Sequence, residues 1–325
     1  VTGPRFSVVM TTRDRVSLFA EALSSVLAQK DAEFDVCVAV DGGNEADSAA
    51  YDRIFEAAGG RLRVTRLPQR ERGHGTGFAM NAAAAIATGD YLAFLDDDDL
   101  WTDGSYLARA GRIIGAGRPD ALFFNQTAYR DGEPTDDARW MAGLEPVLRA
   151  AGREPSDDGA FAVDAEDCVK AGGFCHVNAL VVRRSLWERL GGKDETIPWE
   201  GDRDLFLRLI ETAGRMAFVP VVVARHNVPD PSKKANATTR TPMLARRLSQ
   251  LRVLDKALSR DGHPAVRAYA ARHKGWTLKK IALELKDAGR PRAAAAYARE
   301  ALGLQPGIKW ALMTARLSAA ALGAK

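Results

Sequence analysis

The run Tyr91-Leu92-Ala93-Phe94-Leu95-Asp96-Asp97-Asp98-Asp99-Leu100-Trp101 decides how the chain is read. Its five leading residues, Tyr91 to Leu95, introduced by Gly89-Asp90, have the length and composition of a short buried strand. Four adjacent carboxylates cannot follow them into a core, because each would lose its hydration. The strand therefore ends where the acids begin, at a solvent-facing edge. In an open α/β sheet, the edge beyond the carboxyl ends of the strands is where ligands sit. Acids this crowded repel one another unless a cation lies among them. Hard divalent ions such as Mg²⁺ or Mn²⁺ take oxygen ligands and commonly accompany a phosphate. On these residues alone, a metal–diphosphate site and a solvated acidic turn both stay open.

Upstream, Phe6 to Met10 reads as a buried strand and runs into the polar turn Thr11-Thr12-Arg13-Asp14-Arg15. Leu18, Leu23, Val26 and Leu27 then recur at helical spacing. Such a strand–loop–helix can hold an anion on loop N–H groups and arginines, or merely connect two elements. Phe34 to Val40 is a second strand ending in Asp41-Gly42-Gly43, which suits either a nucleoside contact or plain turn chemistry. Arg61 to Leu67 is a third. Arg72-Gly73-His74-Gly75-Thr76-Gly77 and a helix from Phe78 to Ala87, carrying Asn81, return the chain to the central run. Glycines there permit close backbone approach to a ligand, although loops are glycine-rich in any case. The order β-α-β-α-β-α-β is that of a doubly wound nucleotide-binding half.

These residues resemble the family 2 glycosyltransferases. The resemblance rests on the first strand with Thr11 to Arg15, on Val40-Asp41-Gly42-Gly43, on Asn81 with Gly89-Asp90-Tyr91, and on Leu95 to Asp99. It covers about residues 5 to 230 and implies a GT-A fold, a Rossmann-like doubly wound mixed sheet flanked by helices. It also implies a metal-dependent transfer of sugar from a nucleotide-sugar. On the family pattern, Asp96 and Asp98 form the DxD motif, with Asp98 as metal ligand and Asp99 beside it. Thr11, Thr12, Arg15, Asp41, Gly75, Asn81, Asp96 and Asp97 are then the donor-binding set. Asp14 stands where the family usually has Asn, and Met80 where Arg often precedes Asn81.

Downstream, Ala108 to Gly117 reads as a helix and Ala121 to Asn125 as a strand. Gly132 to Gly159 reads as a loop with a short helix near Leu144 to Ala150, on the acceptor side. A strand from Asn178 leads into a helix that ends at Gly191-Gly192. In Trp199-Glu200-Gly201-Asp202-Arg203-Asp204-Leu205, acids open a helix, where the dipole keeps a carboxylate ionised. N-capping alone accounts for such acids. The resemblance identifies the segment with the family's ED motif, which makes Asp202 the general base of an inverting enzyme, with Glu200 and Asp204 as its neighbouring alternatives. Gly201 stands in place of the usual Glu. The strand Phe218 to Ala224 delivers His226, which the resemblance makes a second metal ligand. Mn²⁺ or Mg²⁺ is the expected ion. Pro229 to Thr241 is expected as a loop near the diphosphate.

The 325 residues are 46% hydrophobic and 27% charged, ordinary for a globular protein, and no apolar run reaches the ~18–20 residues of a membrane span. Val1-Thr2-Gly3-Pro4-Arg5 is not expected to be a signal peptide, and Cys37, Cys168 and Cys175 suit reduced thiols rather than a disulfide scaffold or zinc site. A cytoplasmic setting follows as the expectation. From Arg240 to Lys325 there are 18 Lys and Arg against 5 acids, a balance of +13 that leaves −9 for residues 1–239. A basic tail can favour an anionic membrane surface or nucleic acid, but a solvated helical face is the preferred reading here; peripheral membrane contact stays open, and nucleic acid is not the expected partner. The tail is helical from Pro242, and Gly289 to Pro306 is similar to half a tetratricopeptide unit. The chain thus reads as a GT-A domain over 1–238 and a helical appendage over 239–325. Its partners are a nucleotide-sugar, with UDP-sugar favoured, and a saccharide, lipid-linked or protein acceptor in surface glycoconjugate assembly. The alternatives are a nucleotidyltransferase using the same acids and a catalytically silent binding protein.

Overall fold

Continuous apolar runs suit strands covered on both faces, and the first half of the chain uses them that way. In the computed structural model, which describes residues 3–135, 140–228 and 241–323, β1 (Phe6–Thr12), β2 (Phe34–Val40), β3 (Leu62–Arg66) and β4 (Tyr91–Asp96) form the parallel part of one sheet. Val8, Val9, Met10, Leu92, Ala93, Phe94 and Leu95 are fully buried. Between these strands run α1 (Val16–Leu27), α2 (Glu45–Ala58) and α3 (Thr76–Ala85).

Beyond the acids come β5 (Leu100–Trp101), α4 (Tyr106–Gly117), β6 (Ala121–Arg130) and β7 (Glu133–Pro134). Then follow α5 (Leu144–Ala150), β8 (Phe161–Val163), α6 (Ala165–Lys170), β9 (Leu180–Arg183), α7 (Arg184–Leu190), α8 (Gly201–Thr212) and β10 (Met216–Asn227). The strand order is β3-β2-β1-β4-β9-β6-β10-β5, with β7 on β6 and β8 on β10. β9 lies antiparallel between β4 and β6, and β10 runs parallel to β6. The carboxyl ends of β1, β2, β4, β6 and β10 therefore share one edge, which the amino end of β9 also reaches. This is the mixed sheet of the GT-A class. α5 is the short helix expected near 144–150, while the segment expected as loop over 132–159 also holds β7, and β8 follows it; strands of two or three residues are too short to leave a periodic signal.

The chain divides into two compact units, Val1–Asp230 and Pro231–Lys325. In the second, α9 (Met243–Ser259), α10 (Pro264–Asp287), α11 (Pro291–Leu304) and α12 (Ile308–Gly323) follow one another. Prolines open α10 and α11, where a missing N–H costs nothing. The core between them is Ile281, Ala282, Leu285, Ala294, Ala295, Ala298 and Leu317, in which alanines admit close helix contact. Among the described residues, no helix is long and apolar enough to cross a membrane. The three cysteines are free and buried.

The return into β4 is tight. A Cβ on Gly89 would come within 2.6 Å of Phe6 C and Ser7 N, both backbone atoms of β1. Gly89→Ala is expected to lower the stability of the first unit by about 1–3 kcal/mol through forced backbone shifts. Urea unfolding followed by fluorescence measures it.

Candidate active site

The acidic turn leaves β4 at the shared edge, and each of its four carboxylates meets a different environment. Asp99 is 1% exposed. Its Oδ1 accepts from the Asn227 backbone N–H at 2.6 Å, and its Oδ2 accepts from Asn178 Nδ2 at 2.5 Å and faces His226 Nδ1 at 2.7 Å. Arg15 Nη1 donates to Asp97 at 3.0 Å and to Asp98 at 2.8 Å. Asp96 pairs in register with Thr11 of β1, and its backbone N–H donates to Asn178 Oδ1 at 3.0 Å. Thr12, beside them, shares a 2.8 Å hydrogen bond with Tyr51.

Burial pushes Asp96 up to about 7, with Lys193 pulling the other way. Burial and then Asp98 push Asp97 up to about 7, and burial and then Asp99 push Asp98 up to about 6. Such a turn holds protons that a cation would replace. The residues fit a cation on a second count. Ligand atoms of Asp99, His176 and His226 all lie within 4.8 Å of one another. Burial drives His176 down to about 4, which leaves the neutral imidazole that metals take. For His226, burial opposes the charge but the hydrogen bond to Asp99 raises it. Trp140 walls this pair, with ring centroids 6.3 Å from His176 and 5.2 Å from His226. His176 is not singled out by the sequence. Its only signals were its rarity, as one of five histidines, and its place just before a strand. Asp98, the ligand expected from the turn, is bonded to Arg15, and Asp99 is the acid that joins the histidines.

Asp202 lies in the first turn of α8, with its Oδ2 3.6 Å from His176 Nε2 and its Oδ1 2.8 Å from Lys193 Nζ. His176 Nε2 is also 3.8 Å from Asp96, so one imidazole touches both acids. Burial works against ionisation of Asp202, but Lys193 and then His176 outweigh it and hold the carboxyl at about 2. Burial likewise opposes the charge on Lys193, which Asp202 and Asp96 raise above the ordinary lysine value. Glu200 pairs with Arg203, and Asp204, 1% exposed, pairs with Arg208 at 2.8 Å. Among the three neighbouring acids, Asp202 is the one that meets the histidine.

The sequence does not single out Lys193 either, and Asn81 explains its placement. Asn81 Oδ1 accepts from the Lys193 N–H, and Asn81 Nδ2 donates to the Lys193 carbonyl, both at 2.9 Å. Gly192 beside it has φ +68, and a Cβ there would come within 2.2 Å of Asn81 Oδ1. Asn81, expected at the donor, thus clasps the loop that carries Lys193. Asp41 is similarly engaged. Its carboxylate accepts from the His74 N–H at 2.9 Å and the Gly75 N–H at 3.3 Å, and meets His74 Nδ1 at 2.6 Å. Arg13 donates to the Asp41 carbonyl at 2.8 Å and to Arg70 and Glu71. The glycine-rich loop is therefore tied to the end of β2. Residues 229–240, most of the expected diphosphate loop, lie outside the described residues.

A family model, Glycosyl transferase family 2, matches residues 7–190. The chain is 26% identical to a PGL/p-HBAD biosynthesis glycosyltransferase of Mycobacterium tuberculosis (strain H37Ra), over 70% of this chain and 78% of that protein. Among solved structures it is similar to S. aureus TarS 1-349 in complex with UDP-GlcNAc, with TM-score 0.65 and 15% identity, over 93% of this chain and 82% of that one. It is also similar to the mannosyltransferase PcManGT from Pyrobaculum calidifontis in complex with GDP-Man and Mn²⁺, with TM-score 0.59 and 20% identity, over 99% and 81% of the two chains.

If the convergent set holds the ion, His176→Ala and His226→Ala are each expected to weaken Mn²⁺ binding by at least about 10-fold, the lower range for loss of even a supporting partner. Calorimetry without nucleotide measures this. Unchanged affinity in His176→Ala would make that histidine a packing residue.

Proposed function

Because the chain belongs to glycosyl transferase family 2 and is a glycosyltransferase, we propose that it moves a sugar from a nucleoside diphosphate sugar to an acceptor hydroxyl with inversion at the anomeric carbon. The observation that carries this reading is the placement of Asp202 at the start of α8, 2.8 Å from Lys193 and joined through His176 to the acidic turn. In a single displacement, the Asp202 carboxylate takes the acceptor's hydroxyl proton. The acceptor oxygen bonds to the anomeric carbon, and the bond from that carbon to the diphosphate oxygen breaks, its electron pair leaving with the nucleoside diphosphate. Proton acceptance works best when the base is not too acidic. The Lys193 ammonium, and then His176, hold Asp202 well below that optimum.

Mn²⁺ or Mg²⁺ is the proposed cofactor, held by His226 and His176 with Asp99 and, on the diphosphate side, Asp98. When bound, such an ion stabilises charge growing on the leaving diphosphate. Arg15, Thr11, Thr12, Asp96 and Asp97 line the donor side. Asp41 acts on the nucleoside through the loop it fastens. A UDP-sugar is the favoured donor, supported by the likeness to a structure holding UDP-GlcNAc. The acceptor is a saccharide, lipid-linked or protein group in surface glycoconjugate assembly. A relative whose name places it in PGL/p-HBAD biosynthesis is in keeping with this. The setting is cytoplasmic, with peripheral contact at the inner face of the membrane.

Asp202→Asn keeps the shape and removes the basicity. Nucleoside diphosphate release with acceptor is expected to fall by about 10²–10⁴, with donor affinity near wild type. If Glu200→Gln loses turnover and Asp202→Asn keeps it, the base is Glu200. Lys193→Met removes the ammonium that outweighs burial at Asp202 and leaves only His176 beside it, so the Asp202 pKa is expected to rise and the acidic limb of the kcat–pH profile to move to higher pH, with the donor KM changing less. Partial rescue by Lys193→Arg would separate its charge from its packing.

A further inference from the structure

The last helix of the second unit, α12, carries two apolar faces. One packs inward: Thr314 and Leu317 are buried, and Trp310, Met313 and Ala321 rest on the core of α10 and α11. The other faces outward. Ile308 is 83% exposed, Leu312 62% and Leu322 90%. With exposed Ala315 and Ala319 they recur at i, i+4, i+7, i+11 and i+14, one continuous stripe along the helix. A single exposed leucine is ordinary, but an aligned apolar stripe marks a contact surface.

We propose that this outer face of α12 docks on an anionic lipid surface. Charge decides the occupant. None of the 16 residues of α12 is acidic, and exposed Lys309 and Arg316 flank the stripe on one side. Arg299 of α11 reaches the same helix, with its Nη1 3.4 Å from Ser318 Oγ. From Arg240 onward the balance is +13. A second copy seated on this face would bring like charge against like charge. An anionic bilayer supplies both what the stripe lacks, an apolar layer at the headgroup boundary, and what the flanking cations lack, counter-charge. The inference rests on the peripheral membrane contact proposed above and assigns it to one element.

The test is co-sedimentation of the full chain with phosphatidylglycerol-containing vesicles and with pure phosphatidylcholine vesicles. Wild type is expected to bind the first, less so as salt rises, and not the second. Leu312→Asp, on an exposed position, is expected to reduce binding several-fold, and the paired reversal Lys309→Glu with Arg316→Glu to reduce it as well. Equal binding by Leu312→Asp and wild type overturns the proposal, because the basic charge alone then suffices. Absence of vesicle binding at low salt overturns it too, as does a wild-type dimer that Leu312→Asp converts to monomer. Thermal shift with UDP and Mn²⁺, on the same samples, reports the donor site separately. Loss of vesicle binding with an intact shift bears on α12 alone, and a missing shift in wild type bears on the donor reading alone.

Discussion

Four adjacent carboxylates at the end of a buried strand have to be compensated, and the site is built from the groups that do it. Arg15 comes from the loop after β1, Asn178 from the turn before β9, and His226 and Asn227 from the end of β10. Lys193 comes from the loop after α7 and pairs with Asp202 of α8. Segments far apart in sequence are thereby bound to one turn. An unpaired buried charge costs far more than a paired one, so losing any one of these partners would leave a charge at the sheet edge uncompensated.

The division of labour within the turn follows from depth. Asp99 is sealed beneath the others and has its oxygens on Asn178, Asn227 and His226. Asp96, Asp97 and Asp98 sit nearer the opening, with carboxyls pushed up to about 7, 7 and 6, mainly by burial. A deep carboxylate that meets His226 and shallower carboxylates of which two are bonded to Arg15 are different parts of one turn. Their order along the chain does not distinguish them.

That is why the sequence revealed the class of site better than its wiring. The strand ends at Val40 and Asp96, the helix opened by Asp202 and the strand delivering His226 were all legible, because hydrophobic runs stop abruptly at polar residues. His176 and Lys193 were not. Each sits outside any periodic element, and each reaches the site only because distant residues place it. For Lys193 the agents are Asn81, which brackets its backbone, and Arg208, which donates to the carbonyls of Leu190 and Gly192. Asn81 and Asp41 were visible as polar residues near a ligand edge, but a sequence does not say whether a polar side chain faces the ligand or holds the loop that does. Short strands such as β5 and β8 escaped for a plainer reason: pairing to β10 defines them, and pairing is not local.

The start of α8 shows how geometry sorts acids that composition leaves equivalent. Glu200 adopts φ 69, a left-handed turn that launches the helix. Residues three or four apart share a helix face, and Arg203 takes Glu200 while Arg208 takes Asp204. Asp202 has no basic residue at either spacing on its own helix: positions 205 and 206 are Leu and Phe. Its partners therefore come from outside the helix, His176 and Lys193, and both belong to the site. A carboxylate paired within its own helix is held whatever occupies the cleft. One paired with other elements answers to what reaches those elements, and Asp202, with His176 and Lys193 beside it, meets that condition for a proposed base.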